Sequence, residues 1–213
     1  MKALHYAQQI AYSSKETLEF SYACARSMQG VDCVFVECGV GAGAQIIAMH
    51  HGAPKKIVYA FDSFQGIPLP SNRDDQMPGI RRLTKQEQAN LPNPGEQVLE
   101  SSGATAVSQE DFKQHLINAD VNLDVIKVCP GWFEQTVPVF GQFSVRIGIL
   151  RLDGDLYNST YVCLKHLYHN VIEGGIVIID DWELAGSRAA VEDYFNGVMP
   201  EMQFVSNIAY FIK

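Results

Sequence analysis

Four aspartates stand in two tight groups. Asp153 and Asp155 follow one apolar run in Leu-Asp-Gly-Asp, and Asp180 and Asp181 follow another in Ile-Asp-Asp-Trp. Runs such as Ser144–Leu152, with Ile147, Ile149 and Leu150 at its core, and Ile176–Ile179 read as strands buried on both faces of a parallel sheet. In a doubly wound sheet the carboxyl ends of such strands lie side by side. Carboxylates brought together in that way must share protons or hold a cation. An all-oxygen set suits Mg²⁺, which keeps several waters and takes few protein ligands. Aspartate is also an ordinary helix cap between a strand and a helix, and one such residue would imply nothing more. Two neighbouring strand ends, one carrying an Asp pair, favour the metal.

A second constellation lies near the start of the chain. Val31, Val34, Phe35 and Val36 form an apolar run closed by Glu37, after which Gly39, Gly41 and Gly43 alternate ahead of the helical Ala44–Met49. Strand, glycine turn and helix form the unit that brings backbone close to a nucleotide-like cofactor at a sheet's carboxyl edge. Gly39-Val-Gly-Ala-Gly-Ala44 also fits the looser dinucleotide fingerprint. S-adenosylmethionine (SAM) and NAD(P) therefore compete for the turn, beside a purely structural reading. Glu37 favours SAM, since a carboxylate there faces a cationic ligand and repels a pyrophosphate. The next strand, Lys55–Phe61, ends in Asp62, where a ribose-hydroxyl acceptor belongs in cofactor-binding α/β domains.

These residues require elements to hold them. The 213 residues suit one α/β domain. Residues 1–30 read as a helical cap on the sheet, a cover for cofactor or a subunit contact in a homo-oligomer. Further helices are expected over Val107–Ile117, from about Asn158 to Asn170, and over Ser187–Phe195. Further strands are expected over Leu123–Val128 and, as a closing antiparallel pair, within Gln203–Ile212. Gly174–Gly175 reads as a turn. The stretch 63–103 carries Pro68, Pro70, Pro78, Pro92 and Pro94 with little periodicity, which marks a lid or an insertion. A short helix over Thr84–Leu91 is expected within it. The whole is a Rossmann-like fold with a mostly parallel sheet and an antiparallel strand near the C-terminus.

Composition narrows the partners. The formal net charge of −8 argues against nucleic acid and anionic membranes, and suits a small cationic ligand or a metal. No apolar run is long enough to span a bilayer and no secretory leader is evident, so the expected location is cytoplasmic. Five cysteines without paired spacing read as free thiols. Tyr161 and Lys165 match the spacing of short-chain dehydrogenases, but that pattern is loose. His166 and His169 could chelate a metal but suit a solvated pair better, and His50-His51 suits the negative end of a helix dipole.

The blocks together resemble a known family. Val36-Glu37-Cys-Gly-Val-Gly-Ala-Gly, Asp62-Ser63-Phe64-Gln-Gly66-Ile-Pro68, Pro130-Gly131-Trp132-Phe133, Asp153-Gly154-Asp155-Leu-Tyr157-Asn-Ser159 and Asp180-Asp181-Trp182 occur in this order. They are similar to the macrocin O-methyltransferase (TylF-type) family of SAM-dependent enzymes. The resemblance implies methylation of a sugar hydroxyl on a small molecule, with SAM and Mg²⁺. It implies metal ligands at Asp153, Asp180 and Asp181, with Asp153 also the general base. It places Glu37, Gly39, Asp62 and Ser63 in the SAM site, where the glycine turn adds Gly41 and Asp153 is expected to reach the cofactor as well. An NAD(P)-dependent oxidoreductase and a non-catalytic SAM-binding protein are the alternatives.

Overall fold

The computed structural model describes residues 2–75, 80–81, 84–89 and 98–213. In chain order the elements are α1 (Lys2–Ile10), α2 (Lys15–Ser27), β1 (Val34–Cys38), α3 (Ala44–Gly52), β2 (Val58–Asp62), β3 (Pro68–Leu69), α4 (Lys85–Ala89), β4 (Val98–Ser101), α5 (Gln109–Asn118), β5 (Ile126–Pro130), α6 (Phe133–Phe140), β6 (Ile147–Leu152), α7 (Tyr157–Leu167), β7 (Val171–Ile179), α8 (Ala185–Tyr194), β8 (Gln203–Val205) and β9 (Ile208–Ile212). One sheet runs in the order β5-β2-β1-β6-β7-β9-β8. The first five strands are parallel, and β9 and β8 close the sheet antiparallel. This is the expected Rossmann-like sheet.

Period-two alternation sorts the side chains between two apolar layers. Phe35, Ile149 and Ile178 pack with α1, α2, α3 and α5 on one face. Val36, Leu150, Leu152, Val177 and Ile179 pack with α6, α7 and α8 on the other. The chain leaves β1 for β2 and β5, then returns to place β6 on the opposite side of β1. The crevice beyond β1 and β6 is therefore the topological switch point, where ligands of open α/β sheets bind. The glycine turn follows β1 and Asp153 follows β6, so both constellations arrive there.

Several local expectations are corrected. The N-terminal stretch is two helices, because Ser14 caps α2 by accepting from the Thr17 N–H at 3.4 Å. Gly174–Gly175 lies inside β7. The register between β6 and β7 shifts there, which accommodates Gly174 at φ +76°. Residues Leu123–Val125 form a 3-10 turn, so β5 starts at Ile126. His50 does not act as a charge at a helix end. Burial, with His51 adding to it, holds its pKa down to about 4, and its neutral Nε2 accepts from the Asn122 N–H.

Within 63–103, β3 and β4 pair antiparallel. The expected short helix appears as α4, and residues 90–91 of that expectation lie outside the described residues. All five cysteines are free thiols. Among the described residues no helix is long and apolar enough to cross a membrane.

Candidate functional site

A cleft of about 270 Å³ opens at the switch point. The glycine turn forms one wall. Gly39 (φ +90°) and Gly41 (φ +46°) both adopt a backbone region that side chains disfavour. A Cβ on Gly39 would stand 1.7 Å from the Asp153 carbonyl oxygen, whereas one on Gly41 would meet nothing within 4 Å. Gly39 thus lets β1 close against the acid loop, and Gly41 leaves its backbone open to the cleft.

Asp62 ties this wall together. Its Oδ2 accepts from the Val40 and Gly41 N–H groups at 2.9 and 3.0 Å, and its Oδ1 accepts from the Phe64 N–H at 2.7 Å. A carboxylate offers about four lone-pair directions, so Asp62 can clamp the glycine turn and still accept from a ligand. Ser63 also lines the cleft. Its Oγ accepts from the Gln65 N–H and donates to the Gly66 carbonyl, closing a tight turn.

Sheet parity builds the opposite wall. On β6, Ile149 and Arg151 point to one face, and Asp153 just past its end continues that parity. Ile178 on β7 and Asp180 just past its end share it, and on β1 so do Phe35 and Glu37. Glu37 pairs in register with Arg151. Arg151 is fully buried, and its guanidinium gathers the acids of three strands. Nε donates to Glu37 Oε1 at 3.2 Å, and Nη2 donates to Asp153 Oδ2 at 3.2 Å and Asp180 Oδ1 at 2.6 Å. The side-chain exposures of Asp153 and Asp180 are 30% and 10%, so both acids reach from the buried guanidinium toward the cleft. Among the described residues, the buried Glu37 Oε2 and Arg151 Nη1 have no hydrogen-bond partner.

Sequence reasoning passed over Arg151. The signal was there: it is a lone charge within a strand otherwise made of Ile, Gly and Leu, two residues before Asp153. A guanidinium so placed must be paired.

The aspartates divide. Carboxylate oxygens of Asp153, Asp155 and Asp181 lie within 4.8 Å of one another, close enough to hold one metal ion. Asp180 lines the same cleft but turns one oxygen to Arg151. Asp155, which the resemblance leaves out of the ligand set, enters the cluster through a left-handed backbone (φ +57°), and its N–H donates to Asp181 Oδ2.

Burial pushes the Asp153 carboxyl well above its ordinary range, and Asp180 and Asp181 add to that while Arg151 opposes it. Burial likewise raises Asp181, with Asp155 and Asp180 adding to it. Asp155 is pushed up to about 6 by burial and by the charges of Asp180 and Asp62. Glu37 is pushed up to about 8 by burial against the pull of Arg151. Crowded acids in this state are what a cation relieves.

Trp132, Phe133 and Glu134 complete the wall. The buried Glu134 Oε1 has no partner among the described residues, and burial raises its pKa. Neither Tyr161 nor Lys165 is among the described residues lining the cleft.

Comparison with known proteins bears on this arrangement. The family model described as Macrocin-O-methyltransferase (TylF) matches residues 16–213. An 8-demethyl-8-(2,3-dimethoxy-alpha-L-rhamnosyl)-tetracenomycin-C 4'-O-methyltransferase of Streptomyces olivaceus is 33% identical over 170 residues, covering 78% of this chain and 59% of that protein. A demethyldecarbamoylnovobiocin O-methyltransferase of Streptomyces niveus is 32% identical over 165 residues, covering 75% and 56%. The chain thus spans less than two thirds of the length of these relatives. The solved structure of the O-methyltransferase NovP superposes with a TM-score of 0.74 at 28% identity, covering 96% of this chain and 82% of that one.

Proposed function

The chain belongs to the macrocin O-methyltransferase (TylF) family, and on that premise we propose that it moves a methyl group from SAM to a sugar hydroxyl on a glycosylated small molecule, with Mg²⁺. One observation carries this reading. A glycine turn clamped by Asp62 and a three-carboxylate cluster face the same cleft. Such a cleft can hold a methyl donor on one side and activate an alcohol on the other. The rhamnosyl group in one relative's name supports a sugar-bearing acceptor.

The cleft fits both groups. The buried, unpartnered Glu37 Oε2 lies on its wall, an acceptor suited to the ammonium of SAM. When bound, SAM supplies an electrophilic methyl on a sulfonium. The all-oxygen donor set and raised carboxyl pKa values suit a hard divalent cation. When bound, Mg²⁺ lowers the pKa of an alcohol beside it.

Asp153 and Asp181 are common to the resemblance and to the observed cluster. Asp180 is the proposed third ligand through the oxygen that Arg151 leaves to it, and Asp155 stands alongside. Asp153 accepts the hydroxyl proton on the oxygen that Arg151 does not hold. Held to a metal, Asp153 would be a weak base, so the lowered pKa of the alcohol would supply most of the activation. Trp132 and Phe133 keep water from the reacting atoms. Gly66, Ile67 and Pro68 line the cleft, which supports reading the 63–103 stretch as its cover.

Calorimetry tests the cofactor half of this reading. SAM should bind the full chain, and NAD should not. Asp62→Ala should weaken SAM by about 1.5–3 kcal/mol, the range for hydrogen bonds to a charged group. NAD binding in place of SAM would return the turn to dinucleotide chemistry. Unchanged SAM affinity in folded Asp62→Ala protein would remove Asp62 from the site.

A further inference from the structure

The helices that follow the two acid-bearing strands both lack a cap of their own. Neither Leu156 before α7 nor Leu184 before α8 offers a side-chain hydrogen bond to the helix it precedes. Both first-turn N–H groups are instead met from the stretch after β3. Asp74 Oδ1 accepts from the Tyr157 N–H and Asp75 Oδ2 accepts from the Ala185 N–H, each at 2.6 Å.

This short strap is built to stay in place. Asp74 is buried, and its other oxygen accepts from the Ser71 N–H at 2.7 Å and the Ser71 hydroxyl at 2.6 Å. Arg73 lies 3.6 Å over the Tyr157 ring and pairs with Asp193, which also accepts from the Tyr157 hydroxyl. Gly186 completes the fit, since a Cβ there would stand 2.3 Å from Asp74 Oδ1.

We propose that Asp74 and Asp75 are positioning residues, two adjacent caps supplied from a distant part of the same chain that set the acid loops Asp153–Asp155 and Asp180–Asp181. Tyr157 follows Asp155 by two residues and Ala185 follows Asp181 by four. The two loops are joined by the Asp155 N–H on Asp181 Oδ2. Releasing either helix start therefore moves both groups of acids. The part played in methyl transfer rests on the proposed function, whereas the positioning itself does not.

Amide hydrogen exchange on the full chain tests the positioning. In Asp74→Ala, exchange should speed by about tenfold at Tyr157 and also at Asp155, whose N–H donates to Asp181 rather than to Asp74. Amides inside β1 and β6, such as Phe35 and Leu150, should keep their rates. Asp74→Asn retains one acceptor oxygen for the Tyr157 N–H but turns its NH2 toward the Ser71 N–H, and should restore part of the protection. Asp75→Ala removes an exposed side chain, covers the case in which Asp74→Ala does not fold, and should speed Ala185 and Asp155.

In turnover, the variants should lose kcat while KM for SAM stays within about threefold, because the glycine turn is not touched. Faster exchange confined to the capped amide, or equal acceleration throughout the sheet, would overturn the proposal. Absent methyl transfer in the unaltered chain counts against the proposed function and leaves the exchange result readable.

Discussion

Asp153→Asn lowers methyl transfer by about 10²–10⁴-fold, the range for losing a general base. It leaves SAM affinity within about threefold if, as proposed, the cofactor rests mainly on the glycine turn and Asp62. The amide keeps the shape of the carboxyl but cannot take the hydroxyl proton. It also removes one negative charge from a group of acids that burial already disfavours. Folding is therefore expected to survive or improve slightly, as relief of crowded carboxylates predicts. Single-turnover transfer, with calorimetry on the same samples, separates the two effects. A variant that transfers methyl at the unaltered rate would take Asp153 out of the chemistry.

Arg151→Met destabilises the fold by about 3–5 kcal/mol, the cost of removing one partner from a buried ion network. The guanidinium holds Glu37, Asp153 and Asp180 at once. Without it, Glu37 is a buried carboxyl with no cation beside it. Burial is the largest influence on Glu37 and Arg151 the main one opposing it, so losing the guanidinium should raise the Glu37 pKa further. Arg151→Lys keeps the charge but not the fork that spans three acids, and should fall between. Denaturant melts read the loss directly. A change below about 1 kcal/mol would mean that the three acids repack freely around the missing group and do not depend on it for pairing.

What was legible in the chain follows from how local each signal is. The glycine turn, Asp62 and the two Asp groups sit at strand ends whose apolar runs can be seen by eye, and the switch point then brings them together. The closing antiparallel strands were legible for the same reason. Arg151 was passed over because it sits inside an apolar run, where a strand reading averages it away. Its parity with Ile149 and Asp153 pointed it at Glu37 and Asp180.

The break between α1 and α2 had a local cue in Ser14 three residues before Thr17. The continuation of β7 through Gly174–Gly175 had the opposite cue, since paired glycines usually mark a turn. The strap was not legible at all. Asp74 and Asp75 cap helices 83 and 110 residues further along the chain, and no spacing rule spans that distance. The division between Asp155 and Asp180 was equally hidden, because it depends on which carboxyl the guanidinium captures.

The most direct measurement follows a glycosylated small-molecule acceptor incubated with SAM and the protein, in excess EDTA and again after Mg²⁺ is restored. Metal-assisted transfer predicts one methyl group added to a sugar oxygen, in a reaction that stops with EDTA and returns with Mg²⁺ while SAM stays bound throughout. Full transfer in metal-free buffer would contradict it, and would leave Asp153, Asp155 and Asp181 as loop and helix-cap residues.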